Sequence, residues 1–132
     1  MEPAPRHQAR ERAMTLLYEA DMKGEPPMAV VGELPVSPDP FTERLLRAAE
    51  ARREDIDRLI DEAAIGWPID RMAVVDRTVL RLAVAELLEF PDSPTAVVLD
   101  EAVELSSEYS TDASGRFVNG VLATVASRVR GG

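Results

Sequence analysis

The sequence predicts an all-α protein, and three observations carry that reading. Apolar residues recur at three- and four-residue spacing along most of the chain, the mark of amphipathic helices. Alternation of the strand type is nowhere sustained. Prolines and glycines gather between the periodic stretches, where they act as stops.

The elements follow in order. Residues 1–5 are expected to be disordered. The segment "RHQARERAMTLLYEADMKG", Arg6 to Gly24, reads as a helix with one apolar stripe of Ala13, Leu16, Leu17 and Ala20. It ends at Gly24, with Pro26 and Pro27 just beyond. Residues 25–40 are dense in proline, which removes a backbone donor and restricts the preceding residue. They are expected to form a loop or short helix, with at most one turn around Ala29 to Leu34. A second helix runs from about Phe41 to Ala51, with Leu45, Leu46 and Ala49 inward. After a break near Arg52 to Glu54, "EDIDRLIDEAA" places Ile56, Leu59, Ile60 and Ala63 on one face. Gly66 and Pro68 interrupt the pattern, and Trp67 between them is expected to plug a helix junction.

The stretch "DRMAVVDRTVLRLAVAELLEF" is apolar on most sides, including Val74, Val79, Leu80, Val84 and Leu87. Such a helix is usually central. "PDSP" stops it. Thr95 to Tyr109 forms the next helix, with Val98, Ala102 and Leu105 inward and Asp100, Glu101 and Glu104 outward. After "STDAS" the last helix buries Phe117, Val118, Val121, Leu122 and Val125, and is expected to fray at "RVRGG". Asn119 and Gly120 inside it suggest a buried amide and a close helix approach. The chain of 132 residues reads as one domain, 1–132.

Composition excludes several chemistries. There is no cysteine, so disulfides, thiolate metal sites and cysteine nucleophiles are absent. The only histidine is His7, which rules out histidine-rich metal centres. No phosphate-cradling glycine loop with its lysine is present. No apolar run approaches the roughly 20 residues needed to span a bilayer, and the start lacks an apolar signal core. No membrane association, no cofactor, no catalysis and a cytoplasmic location are expected. Acids such as those in "EDIDRLIDE" are expected on a solvated helix face.

The net charge is −9, but it is unevenly spread. Arg6, Arg10 and Arg12 against Glu2 and Glu11 leave residues 1–12 at +1 and the remainder at −10. That describes an acidic body with a basic handle, or an ordinary helix terminus. Tyr109, Arg116 and Phe117 mark a second feature. Aromatic rings can stack single-stranded bases at roughly 1–3 kcal/mol each, and arginine can pair with phosphates. Equally, Phe117 can be a core residue in the first turn of its helix.

The combination "RHQARERAMTLLYEADM", "VDRTVLRLAVAELL" and "VVLDEAVELSSEYSTDASGRFVNGVLATVA" resembles the NusB family of transcription antitermination factors. The resemblance runs from Arg6 to about Ala126, leaving out the proline-rich segment. It implies about seven helices in two small bundles packed side by side. It implies binding to boxA-type single-stranded RNA together with NusE, a free small-subunit ribosomal protein. The pair then acts on the RNA polymerase elongation complex with other Nus factors, chiefly in ribosomal RNA operons. The alternative is a NusB-like protein-interaction module that has lost specific RNA binding.

Position by position, the resemblance places RNA contacts at Arg6, His7, Arg10, Tyr109, Arg116 and Phe117, and partner contacts at Asp70 and Asp76. The sequence departs from the family pattern in three places. His7 stands where the family often has arginine, and Ala113 where it usually has aspartate. The segment 25–40 is short and proline-broken where a longer helix is usual.

Overall fold

The computed structural model describes residues 4–131. They form seven helices: α1 Arg6–Lys23, α2 Pro27–Glu33, α3 Pro40–Ala51, α4 Arg53–Ala63, α5 Val74–Glu89, α6 Thr95–Tyr109 and α7 Asp112–Arg130. A 3-10 turn, Ile69–Arg71, precedes α5. No strand occurs among the described residues. Helices α1, α2 and α3 pack on one another, α4, α6 and α7 gather on the other side, and α5 touches both groups. This is the expected all-α arrangement of two small bundles sharing a central helix.

Local chemistry explains the boundaries. Gly24 adopts a left-handed conformation, φ 68°, and its N–H closes the end of α1 on Ala20 and Asp21 carbonyls. Pro27 and Pro40 occupy first-turn positions, where a missing N–H costs nothing. The Asp39 carboxylate caps α3, accepting the Phe41 N–H at 2.9 Å. It also accepts the Ala4 N–H at 2.9 Å, so the backbone is pinned just ahead of α1. The disorder expected over 1–5 does not extend to Ala4, and residues 1–3 lie outside the described set. Thr111 caps α7, its hydroxyl accepting the Ser114 N–H at 3.0 Å.

The core is one continuous cluster. Leu16, Leu45, Leu46, Ile56, Ile60, Leu80, Val84 and Leu122 are almost wholly enclosed. Each such side chain contributes about 1.5–3 kcal/mol on burial. Gly115 lets α7 approach α6 closely, since a Cβ there would sit 2.5 Å from Ser107 Oγ and 3.3 Å from Val103 Cγ1.

Four local expectations change. Segment 25–40 holds a seven-residue helix, longer than one turn, because Pro26 and Pro27 sit before and at the start of α2 and Pro35, Pro38 and Pro40 lie beyond its end. Trp67 is 52% exposed and plugs nothing; the buried residues of this junction are Ile69 and Met72. Asn119 is exposed, and a Cβ on Gly120 would meet nothing, so the close approach belongs to Gly115. The C-terminal turn is held rather than frayed. The Arg130 guanidinium donates to the carbonyls of Leu87, Ser93 and Phe90 at 3.0, 2.5 and 2.8 Å, capping the end of α5.

Charged side chains also tie the bundles together. Arg81, itself buried, donates to both Asp57 oxygens at 2.9 and 3.1 Å, and Arg77 donates to Asp21 at 2.8 Å. Asp61 accepts the Ile69 N–H at 2.8 Å. Two acids of "EDIDRLIDE" therefore have structural partners, not only solvent. The most enclosed pair joins α1 to α5. Arg10 Nε and Nη donate to the two Glu86 oxygens at 2.9 and 2.7 Å. Arg10 is 8% exposed and Glu86 2%. Truncating one member of such a pair strands the other, at a cost of roughly 3–5 kcal/mol. Arg10→Ala is therefore expected to lower stability by about that amount in urea unfolding, whereas Arg10→Met with Glu86→Leu recovers most of it. Equal losses in the single and double variants would remove the pair from its tying role.

Candidate nucleic-acid interface

The first turns of α1 lie beside α6, and this contact builds the edge. His7 and Glu11 are one helical turn apart, so both project from the same side of α1. Facing them on α6 are Glu101, Glu104 and Glu108. His7 Nδ1 lies 2.7 Å from Glu101 Oε2. That hydrogen bond raises the imidazole pKa above its ordinary value; slight desolvation opposes it, and the charges of Glu101, Glu104 and Glu11 add to the rise. The Tyr109 hydroxyl donates to Glu11 at 2.8 Å, which pushes the phenol pKa up.

The cations expected to face RNA divide into two kinds. Arg10 is not at the surface; its guanidinium is spent on Glu86 and leans toward Glu101, 3.9 Å away. Arg6 and Arg116 are exposed and form no ion pair among the described residues. Arg6 stacks on Phe41, its guanidinium carbon 4.1 Å from the ring centroid. Tyr109 is 44% exposed, while Phe117 is half-buried and packs against the core.

The structure separates two of the residues grouped by sequence. Arg116 lines a shallow groove between α6 and α7 with Asp100, Glu104 and Asp112. Tyr109 lines another groove with Met14, Thr15, Tyr18, Val75 and Thr78. Tyr18 and Glu11 were not singled out by sequence reasoning. Tyr18 carried a usable signal, an aromatic off the apolar stripe of α1, and it is 39% exposed. Glu11 carried none, because its partner is 98 residues away.

The acids expected to meet a partner also differ from each other. Asp70 stands exposed in the 3-10 turn with no hydrogen bond among the described residues. Asp76 lies in the first turn of α5 and is only 9% exposed. Its Oδ2 accepts from Ser114 Oγ at 3.3 Å, while Oδ1 is buried without a partner. Burial raises the Asp76 pKa, and the Ser114 bond only partly opposes it. Its neighbour Val75 lines the Tyr18–Tyr109 groove, whereas Asp76 itself turns toward Ser114 at the start of α7.

Two sets of side chains place ligand atoms within 4.8 Å of one another: His7 with Glu11 and Glu108, and His7 with Glu101 and Glu104. Both sets draw on the one imidazole, which is already engaged by Glu101. Ala113 occupies the second position of α7 and is exposed, within a helix and not in a loop.

A family model described as the NusB family matches residues 7–127. The transcription antitermination protein NusB of Acidothermus cellulolyticus is 44% identical over 124 residues, 91% of this chain and 86% of that protein. Its namesake in Saccharopolyspora erythraea is 47% identical over 127 residues, 92% of this chain and 86% of that protein. Among solved structures, T. maritima NusB superposes with a TM-score of 0.85 at 34% identity, covering 95% of this chain and 92% of that one. A crystal structure of antitermination factors NusB and NusE in complex with dsRNA matches with a TM-score of 0.80 at 32% identity, covering 93% and 96%. No described helix is long and apolar enough to cross a membrane. With the family model spanning nearly the whole chain and the fold agreeing along its length, the chain belongs to the NusB family.

Proposed function

We propose that this chain is a transcription antitermination factor that binds boxA-type RNA together with NusE and acts on the RNA polymerase elongation complex, chiefly in ribosomal RNA operons. What carries the reading is the fold match to a NusB found with NusE and dsRNA. In this reading Arg6, Arg116 and protonated His7 take phosphates and Tyr109 stacks a base. Arg10 supports the edge from below by holding α1 in place. Asp70, exposed in the 3-10 turn, and the Asp76 carboxylate at the start of α5 take the basic NusE. The work is binding, without a catalytic step, in the cytoplasm.

One set of observations favours the second reading, an interaction module without specific RNA binding. Glu11, Glu101, Glu104 and Glu108 crowd the edge, and Arg10 is unavailable to phosphates. Titrating fluorescent boxA RNA, single-stranded and duplex, with and without NusE separates the two. Specific binding that tightens with NusE supports the factor; NusE binding with no RNA preference supports the module.

Three expectations follow from the site. RNA affinity should rise as pH falls, because protonating His7 adds a positive charge beside phosphates. The raised folded pKa moves the midpoint above the ordinary histidine value of about 6.5. The same His7–Glu101 contact contributes stability that is fully present below that ordinary value and is lost as pH rises through the folded pKa. His7 is the only histidine, so its ring resonances report the titration directly in NMR. His7→Arg should flatten the affinity profile; an unchanged profile would place His7 away from the RNA.

Asp76→Asn should keep or raise the melting temperature while weakening NusE capture. The folded pKa is raised, so the ionised carboxylate costs stability at neutral pH, and an amide of the same shape relieves that cost. Parental NusE affinity in this variant would move the interface elsewhere.

Ala113→Asp should weaken RNA binding without loss of stability. An acid in the first turn of a helix is favoured by about 0.3–1 kcal/mol, and the position is exposed. Affinity equal to the parent at low salt would show that the start of α7 does not meet RNA.

A further inference from the structure

A second run of cations leads away from Arg6. The Arg6 guanidinium lies on Phe41, and Phe41 meets Phe90 edge to face with centroids 5.0 Å apart. On the Phe90 ring lies the Arg44 guanidinium carbon, 4.0 Å from the centroid. Beyond Arg44 a groove opens between α3 and the end of α5, lined by Arg44, Arg47, Ala48, Ala51, Arg52 and Glu89.

The charges along this path are unequal. Arg52 is committed to Glu89 at 2.9 Å and to Asp55 at 3.4 Å. Arg44 donates only to the Glu89 carbonyl, at 2.8 Å. Arg44 and Arg6 have no carboxylate within 4.0 Å among the described residues. Arg47 is 64% exposed, and its nearest acid, Glu43, is 3.8 Å away, too far for a hydrogen bond. Three weakly neutralised guanidinium groups therefore lie in succession on a chain of net charge −9.

Stacking fixes two of them. A guanidinium on an aromatic face keeps its in-plane N–H edges free while losing little further freedom on binding. Those edges match phosphate oxygens. Phe41 and Phe90 are themselves buried, so the rings hold arginines and do not serve as base platforms. Shielding the rings from water would account for Arg6 and Arg44 alone. It does not account for Arg47, which touches neither ring.

We infer that Arg6, Arg44 and Arg47 form a phosphate track that carries the backbone of single-stranded RNA from the α1 edge, across the Phe41–Phe90 pair, onto the outer face of α3. The track rests on the RNA reading of the α1 edge and extends it, because Arg6 belongs to both. It would contact RNA flanking the recognised element, without reading bases.

The test uses the full chain and two RNAs, a short boxA-like sequence and the same sequence extended at both ends. The variants are Arg44→Gln with Arg47→Gln, and Arg47→Glu alone, which alters only an exposed side chain and guards against a folding defect. For the extended RNA, the double variant should flatten the log–log salt dependence by about 1.4, from two contacts at roughly 0.7 each. Arg47→Glu should weaken the extended RNA, and neither variant should alter the short one. A parental slope on the extended RNA overturns the track, as does an equal loss on both RNAs, which would indicate only a general field. If the parent binds neither RNA in a salt-dependent way, the RNA reading of the α1 edge falls first and the track with it.

Discussion

The Arg10–Glu86 pair sets the geometry on which the candidate interface depends. Both groups are withdrawn from water, and each is acceptable there only because the other is present. The pair fixes the rotation of α1 against α5. With Arg10 turned inward, Ala9, Ala13, Leu16, Leu17 and Ala20 face the core. Residues one turn earlier and one position later are then placed by helical geometry. Arg6 falls on Phe41, His7 meets Glu101, and Glu11 reaches Tyr109. The positions of the α1 side chains on that edge follow the same rotation that buries Arg10.

This arrangement has an electrostatic consequence. The cation best placed at the centre of the edge is consumed by folding, and α6 presents Glu101, Glu104 and Glu108 in its place. An edge so composed attracts a polyanion weakly. In the proposed reading, specificity would then rest on a few exposed groups and on a second protein, rather than on bulk charge. The same acidic body suits a basic partner. Asp76 is a different case, because its buried carboxylate oxygen without a donor is a cost carried inside the fold.

Much of the fold was legible because it is written in local periodicity. The stripe of α1, the break at Arg52 and the limits of α6 are all short-range signals, and the structure follows them. The all-round apolar pattern of Val74 to Leu88 marked α5 as the helix both bundles share. The misses share a different cause. Trp67, Asn119 and Arg130 were judged by residue type, but their roles are decided by what lies across the fold. Arg130 finds carbonyls at the end of α5, 37 to 43 positions earlier in the chain. Arg10 was read as a surface cation because nothing near it in sequence announces Glu86, 76 positions away. Charged residues that bury themselves do so through long-range partners, and single-sequence reasoning does not see those.

The two departures at the edge act on the same small charge balance. Replacing arginine by His7 makes one positive charge conditional on pH. Glu101 moves the condition toward neutrality by favouring the imidazolium, yet it also offsets the charge it preserves. In the proposed reading Ala113 stands where the resemblance implies a carboxylate, and its lack of charge would partly offset what His7 forfeits when deprotonated. At a surface balanced this closely, a single proton or carboxylate is a large fraction of the local charge. In that setting, weakly neutralised arginines off the edge gain weight. Arg44 and Arg47 keep their charge at any physiological pH, because guanidinium does not titrate in that range. They would supply the part of the attraction that His7 makes variable.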